Sequence, residues 1–143
     1  MPALCDINFL LAACYQRHTH HPAALEWLNA QDELSILICR NTQLGLLRLL
    51  SNTSVMGEDV CSLTQAWTIY DEIMMDERFD FSAEPERLEH FLREFTSGRT
   101  ISPKLWQDAY LAAFARSARA HLVTFDQGFK QFKGLKLTLL TQN

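Results

Sequence analysis

The sequence lacks long apolar runs, an excess of basic residues, and segments rich in glycine or proline. Its longest apolar stretch near the N-terminus, residues 7–13, is too short to span a bilayer, and no basic segment of a secretory signal precedes it. The chain has 5 Gly and 4 Pro in 143 residues, with no linker, low-complexity segment or internal repeat. We therefore expect one soluble, cytoplasmic domain over residues 1–143, without membrane contact.

The four cysteines indicate neither a disulfide framework nor a zinc site. They form no C-x-x-C pair and have no zinc-like spacing with the histidines. Three of the four lie among apolar neighbours, so we expect reduced core thiols in a reducing compartment. The histidine-rich residues 17–21 lie in a predicted loop, where a solvated joint is favoured over contact with metal or RNA.

Charged residues are distributed unevenly along the chain. Residues 1–98 contain 6 Lys/Arg and 15 Asp/Glu, whereas residues 99–143 contain 7 Lys/Arg and 2 Asp. The net charge of −4 argues against generic nucleic-acid binding, but the basic C-terminal part could attract phosphate groups or an acidic partner. Ordinary solvated charge is the alternative explanation.

Short apolar runs alternate with helical patterns along the whole chain. Apolar runs of strand length predict strands at residues 3–5, 34–38, 78–81, 121–125 and 135–140. Caps and helical periodicity predict helices at residues 8–13, 21–28, 42–50, 57–75, 84–95 and 103–120. This alternation predicts an α/β domain with a mainly parallel central sheet flanked by helices.

Three aspartates occupy positions where a carboxylate is unexpected. Asp6 and Asp126 follow predicted buried strands, and ligands bind at the carboxyl ends of the strands in parallel α/β sheets. Asp108 lies on a predicted helix, where three of its four neighbours at three and four residues are apolar. Taken singly, Asp6 could cap the following helix and Asp126 could begin a turn.

Convergence of these carboxylates would be costly without a cation. Two carboxylates about 5 Å apart repel by roughly 3 kcal/mol at an effective dielectric constant near 20. A hard divalent cation removes this repulsion, and an all-oxygen site suits Mg²⁺ or Mn²⁺. The sequence therefore indicates one metal site, formed by Asp6, Asp108 and Asp126, that could activate water against a phosphate ester.

Four motifs, in order, resemble the PIN domain family. They are D-x-N-x-L-L-A from residue 6, T-Q-L-G-L-L-R-L-L-S-N over 42–52, W-Q-D-A-Y-L-A-A-F-A over 106–115 and L-V-T-F-D-Q-G-F over 122–129. They extend over nearly the whole chain, and its length also resembles that of single-domain VapC-type toxins of bacterial toxin–antitoxin pairs.

The resemblance implies a three-layer PIN-like fold and a Mg²⁺- or Mn²⁺-dependent endoribonuclease. Asp6, Asp108 and Asp126 match three of the acidic residues with which the family binds metal and cleaves RNA. The resemblance also implies a cognate antitoxin protein that blocks the site, and a toxin that pairs as a homodimer.

One position departs from the family pattern. Many members have a glutamate where this sequence has Gln43, whose neighbours on the helix face point it inward. An amide can offer its carbonyl oxygen or hydrogen-bond a metal-bound water, but it brings no negative charge. A catalytically impaired PIN-like module that binds RNA or protein is therefore the alternative. A phosphoacceptor signalling domain is disfavoured, since paired acids are absent near the first strand.

Other polar residues are candidates for supporting roles. Asn8 is expected to cap the first helix or to support the site, and Thr124 to hydrogen-bond a carboxylate or to face the opposite side of the sheet. The candidates for contact with the RNA backbone are basic: Arg48, Lys104, Arg116, Arg119 and Lys130. For Arg48, simple surface exposure is an equal alternative.

Overall fold

Five parallel strands form the central sheet of the computed structural model, which describes residues 1–98 and 101–141. The strands are β1 (Ala3–Cys5), β2 (Ile36–Ile38), β3 (Phe79–Phe81), β4 (His121–Thr124) and β5 (Leu137–Leu139). Their order across the sheet is β3-β2-β1-β4-β5, and every neighbouring pair is parallel. The predicted α/β architecture is confirmed.

Seven helices connect and cover the strands. They are α1 (Ile7–Cys14), α2 (His21–Asn29), α3 (Arg40–Leu50), α4 (Thr53–Met56), α5 (Leu63–Met74), α6 (Leu88–Thr96) and α7 (Leu105–Ala118). Short 3₁₀ helices follow at Gly57–Asp59 and Gln127–Gln131. Within the described ranges, no helix is long and apolar enough to cross a membrane.

The prediction of a single helix over residues 57–75 is wrong. The chain turns at Gly57, which has a positive φ of 57°, and α5 begins only after Ser62. The Ser62 hydroxyl accepts a hydrogen bond from the Gln65 N–H while the Gln65 side chain accepts one from the Ser62 N–H. This capping box defines a new helix start, which the apolar periodicity alone did not separate.

The pleat of the strands divides the core into two halves. Cys5 and Ile38 belong to the half packed against α1, α2, α3 and α5, together with Val123. Leu4 and Leu122 point to the other half, which packs against α6 and α7. Because side chains alternate along a strand, short strands of three or four residues supply both halves and give a three-layer domain.

The connections change direction between β1 and β4. From β1 the chain proceeds to β2 and β3 on one side, whereas β4 and β5 lie on the other side. In a parallel sheet this switch point opens a crevice beyond the carboxyl ends of the strands. Asp6 follows β1, and Asp126 lies two residues beyond β4, so both are at this crevice.

A close approach of two helices fixes the start of α1. A Cβ atom added at Gly45 of α3 would lie 2.3 Å from Ile7 Cδ1, so the absence of a side chain lets Ile7 pack directly on α3. Ile7 is the first residue of α1 and directly follows Asp6. The contact therefore helps to hold Asp6 at the carboxyl edge of the sheet.

Candidate metal centre

Asp6 is a buried carboxylate anchored by a hydroxyl group from the neighbouring strand. It is 6% exposed and lies between β1 and α1, where its N–H donates to Val123 O. Thr124 Oγ1 donates to Asp6 Oδ2 at 2.6 Å and accepts from the Asp126 N–H at 3.0 Å. Thr124 therefore faces the site and links the ends of β1 and β4, and the alternative that it faces the opposite side is excluded.

Asp126 is exposed, and it also begins a turn, which is the alternative role that the sequence suggested for it. Its Oδ1 accepts from the Gly128 N–H at 2.8 Å and caps the 3₁₀ helix that follows β4. This hydrogen bond fixes the orientation of the carboxylate. It uses one oxygen, so the second oxygen of Asp126 is not committed to the cap.

Asp108 is the third of the three aspartates and belongs to α7, which packs on the face of the sheet opposite to α1. It lies in the first turn of α7 and is partly buried. Burial, and after it the charges of Asp6 and Asp126, raise the pKa of Asp108 to about 6. The charges of Asp6 and Asp126 therefore act on Asp108, and a metal site shared by all three aspartates stays a prediction.

The pKa of Asp6 is also raised, first by burial and then by the charge of Asp126. The hydrogen bond from Thr124 and the nearby N–H groups of Ile7 and Asn8 act in the opposite direction, although neither N–H forms a capping hydrogen bond. The Asp6 carboxylate is therefore held in place at an electrostatic cost. Within the described parts of the chain, none of the three aspartates forms an ion pair.

The carboxylate oxygens of the three aspartates are chemically suited to a hard divalent cation, although the three side chains do not surround a single point. Within residues 1–98 and 101–141, no group of three or more His, Cys, Asp or Glu side chains is arranged to hold a metal ion. Mutual repulsion keeps uncompensated carboxylates apart, and a cation between them reverses the sign of that interaction. Carboxylate oxygens are the ligands that Mg²⁺ and Mn²⁺ prefer.

Gln43 is buried beside this edge, and its oxygen is already occupied. Arg40 Nη1 donates to Gln43 Oε1 at 2.6 Å, and Gln43 also interacts with the Tyr70 hydroxyl. The Arg40 guanidinium lies 5.0 Å from the centre of the Phe81 ring. The sequence analysis missed Arg40, although its position three residues before Gln43 on one helix is the spacing at which side chains meet.

The remaining supporting residues take different positions. Asn8 is exposed in the first turn of α1, and the prediction that it caps this helix is wrong because the cap position belongs to Asp6. Lys104 is the N-terminal flanking residue of α7, one turn before Asp108, and is exposed at the carboxyl edge. Lys130 is exposed on the 3₁₀ helix that follows Asp126.

The basic residues farther along the helices lie away from the crevice. Arg116 is eight residues beyond Asp108 on α7, about 12 Å along the helix axis. Its guanidinium donates to Lys133 O at 2.8 Å and lies 4.6 Å from the centre of the Phe91 ring, so internal contacts use it. Arg48 is exposed eight residues beyond Arg40 on α3. Lys104 and Lys130 therefore lie nearer the crevice than Arg48 and Arg116.

Sequence comparison identifies the class of proteins to which this fold and this acidic crevice belong. The sequence model of the PIN domain family matches residues 3–135 of this chain. The chain therefore belongs to the PIN domain family.

Individual relatives place the chain within that family. It is 40% identical to Ribonuclease VapC41 of Mycobacterium tuberculosis, over 97% of this chain and 99% of the relative. It is 32% identical to Ribonuclease VapC29 of the same organism, over 94% of this chain and 92% of the relative. This similarity over nearly the full length places it with the VapC members.

Solved structures support the fold independently. The crystal structure of VapC20 of Mycobacterium tuberculosis, a Sarcin-Ricin loop cleaving toxin, matches with a TM-score of 0.67 and 16% identity over 90% of this chain and 92% of that one. The DNA-bound VapBC structure from Salmonella typhimurium matches with a TM-score of 0.69 and 13% identity over 96% and 97%. The agreement confirms the three-layer PIN fold.

Replacing Thr124 by valine tests whether its hydroxyl holds the centre together. Thr124→Val keeps the shape but leaves the buried Asp6 oxygen without its donor, so we expect a loss of about 1.5–3 kcal/mol in the free energy of unfolding. Urea unfolding measures this loss. Thr124→Ser retains the hydroxyl and is the matched control; equal losses for the two variants would contradict the assigned role.

The raised pKa of Asp108 predicts a stability that depends on pH in the metal-free protein. The folded protein, with a pKa of about 6, binds the Asp108 proton more tightly than the unfolded chain does, so deprotonation destabilises the fold. Asp108→Asn should therefore raise the unfolding midpoint in EDTA above pH 6, and this gain should shrink as the pH falls from 6 towards 4.

Asp71→Asn, which removes an exposed carboxylate of α5, is the control for this measurement. It removes the same formal charge away from the crevice. Thermal unfolding at several pH values compares the two variants. An Asp108→Asn gain that is the same at pH 5 and pH 8, or that equals the Asp71→Asn effect, would refute the electrostatic account.

Proposed function

We propose that this protein is a metal-dependent endoribonuclease and the toxin of a toxin–antitoxin pair. The observation that carries the proposal is the position of Asp6 and Asp126 at the switch point of the sheet, from which their charges raise the pKa of Asp108. Without a bound ion, carboxylates placed in this way are electrostatically unfavourable. With a bound divalent ion, they would be chemically suited to the hydrolysis of a phosphodiester. The VapC ribonucleases, similar over nearly their full length, support the same activity.

The role that we propose for each residue follows from its surroundings. Asp6, Asp108 and Asp126 would hold Mg²⁺ or Mn²⁺, with Asp6 fixed by Thr124 and Asp126 oriented by Gly128. When bound, the ion supplies a coordinated water of lowered pKa and positive charge near the phosphate. Lys104 and Lys130, exposed near the same edge, would contact phosphates of the RNA backbone.

The proposed partners are RNA, a cognate antitoxin protein and a second copy of this chain. Solved neighbours include VapBC2 from Rickettsia felis bound to a DNA fragment from their promoter, a VapBC-1 structure from Haemophilus influenzae and a toxin–antitoxin complex from Klebsiella pneumoniae. On α5, the apolar side chains of Leu63 and Trp67 are exposed four residues apart. Exposed apolar side chains of this kind are typical of protein interfaces. We place the action of the protein in the cytoplasm, where its RNA substrate would be.

Removal of one carboxylate tests the proposed chemistry. The purified protein should cleave RNA in Mg²⁺ or Mn²⁺ and stop in EDTA, and Asp6→Asn should lower the cleavage rate by about 10²-fold or more, since it removes a charged ligand at the centre of the site. Gel analysis of labelled RNA measures the rate. The same substitution should abolish the growth arrest expected when the chain is expressed without its antitoxin.

Thr64→Ala, an exposed change in α5, is the control for purification and folding. Circular dichroism should show that Asp6→Asn remains folded. Cleavage that continues unchanged in EDTA, or in the folded Asp6→Asn protein, would exclude a carboxylate-held metal.

A second candidate function is a PIN module that binds RNA or protein without cutting. The observation that favours it is Gln43, which brings no charge and whose oxygen is taken by Arg40. Such a module would bind RNA with the same crevice but cleave it under no divalent metal. Whether residue 43 can contribute to metal binding therefore separates the nuclease from the binding module.

Restoring an acid at position 43 tests how far Arg40 controls the metal affinity. In Gln43→Glu the new carboxylate would pair with Arg40 in the place of the present hydrogen bond, so Mn²⁺ affinity should hardly change. In Gln43→Glu combined with Arg40→Ala the carboxylate is free to face the crevice, and Mn²⁺ should bind about tenfold more tightly. Calorimetric titration with Mn²⁺ measures both, and Arg40→Ala alone is the control. Equal affinities in all four proteins would contradict a role for position 43.

A further inference from the structure

A cavity of about 540 Å³ lies beside the acidic crevice. This volume falls in the range of roughly 300–1,000 Å³ typical of small-molecule sites. It is bounded by the start of α3, the segment after β3 and one face of α7. Five of its lining residues are Arg40, Asn41, Phe81, Glu84 and Tyr110.

The cavity and the three aspartates share one edge of the sheet. The ends of β2 and β3, from which Arg40 and Glu84 follow, are the next strand ends after that of β1, where Asp6 lies. α7 contributes to both, with Asp108 at the acids and Tyr110 in the cavity wall two residues later. Since the aspartates and the cavity lie at the same edge of the sheet, a strand of RNA whose phosphate lies at the aspartates could place another of its nucleotides in the cavity.

The cavity offers flat surfaces of the kind on which unpaired bases stack. The Arg40 guanidinium lies 5.0 Å from the centre of the Phe81 ring, and the hydrogen bond to Gln43 holds it there. That bond uses one of the five N–H donors of the guanidinium. Aromatic rings and guanidinium planes are the common stacking partners of splayed-out RNA bases.

The polar groups of the cavity include acceptors as well as a cation. Tyr110 donates its hydroxyl to Glu84 Oε1 at 2.9 Å, which orients the Glu84 carboxylate. Asn41 lines the cavity, and its Oδ1 is buried without a hydrogen-bond partner.

We propose that this cavity is a base-binding subsite that receives a guanine of the substrate RNA next to the cleaved phosphate. Guanine presents the acceptors N7 and O6, which suit the guanidinium of Arg40, and the donors N1–H and N2–H₂, which suit the carboxylate of Glu84. No other RNA base places two acceptors beside two donors in this way. The inference rests on the proposed ribonuclease function, and it assigns that function a specificity.

Nucleotide binding to the metal-free protein tests the subsite without requiring cleavage. The full chain is titrated in EDTA with guanosine, adenosine, cytidine and uridine 5′-monophosphates, and binding is followed by calorimetry and by amide NMR shifts. Guanosine monophosphate should bind saturably and about tenfold more tightly than the other three. The largest shifts should fall at the start of α3 and at residues 81–84.

Variants locate the site and separate its roles. Phe81→Ala and Glu84→Ala should each weaken guanosine monophosphate binding about fivefold or more, because one loses the stacking surface and the other the acceptor. Trp106→Ala removes an exposed aromatic side chain of α7 outside the cavity lining and is the matched control.

The outcomes distinguish this inference from the proposed function. Guanosine binding that depends on Phe81, in a protein that cleaves no RNA, supports the subsite and refutes the nuclease. Cleavage without a guanine preference, or equal binding of all four nucleotides, refutes the subsite and leaves the nuclease standing. NMR shifts in the cavity that arise with an antitoxin peptide but with no nucleotide would also overturn the inference, because the occupant would then be protein.

Discussion

The hydrogen bond from Thr124 to Asp6 is the contact on which the site depends. It exists because β1 and β4 pair in parallel with Cys5 opposite Val123, which places Asp6, the residue after β1, opposite Thr124, the last residue of β4. The same hydroxyl accepts the Asp126 N–H, and one side chain therefore positions a buried carboxylate and the backbone of an exposed one. A shift of one residue in this register would turn Thr124 to the other face of the sheet and separate the two aspartates.

Bringing three carboxylates together opposes the stability of the domain. Burial and mutual repulsion raise the pKa values of Asp6 and Asp108, and no described ion pair relieves them. The apolar layers on both faces of the sheet supply the stability that this arrangement costs. A cation that binds the folded carboxylates and not the unfolded chain would add stability by linkage, so metal affinity and folding are coupled in this site.

The sequence predicted the parts of the site that follow from strand ends and failed where side chains of different elements meet. Asp6 and Asp126 could be placed because parallel strands end at a common edge, and Asp108 because an acid on an apolar helix face needs a partner. The direction of Thr124 was left open, since alternation near the end of a short strand depends on register. The Arg40–Gln43 contact was missed, because the analysis considered Gln43 with its apolar neighbours alone.

The amide at position 43 changes the charge balance of the whole edge. With a glutamate there, Arg40 would be held in an ion pair, and its charge would be largely cancelled towards solvent. With Gln43, the same contact holds the guanidinium in place over Phe81 but leaves its full positive charge at the mouth of the cavity. A positive group fixed beside three carboxylates attracts the phosphate of an approaching RNA strand, which the carboxylates alone would repel. Under the proposed function, an amide in place of an acid at position 43 would thus reduce the attraction for a second cation and strengthen the attraction for RNA.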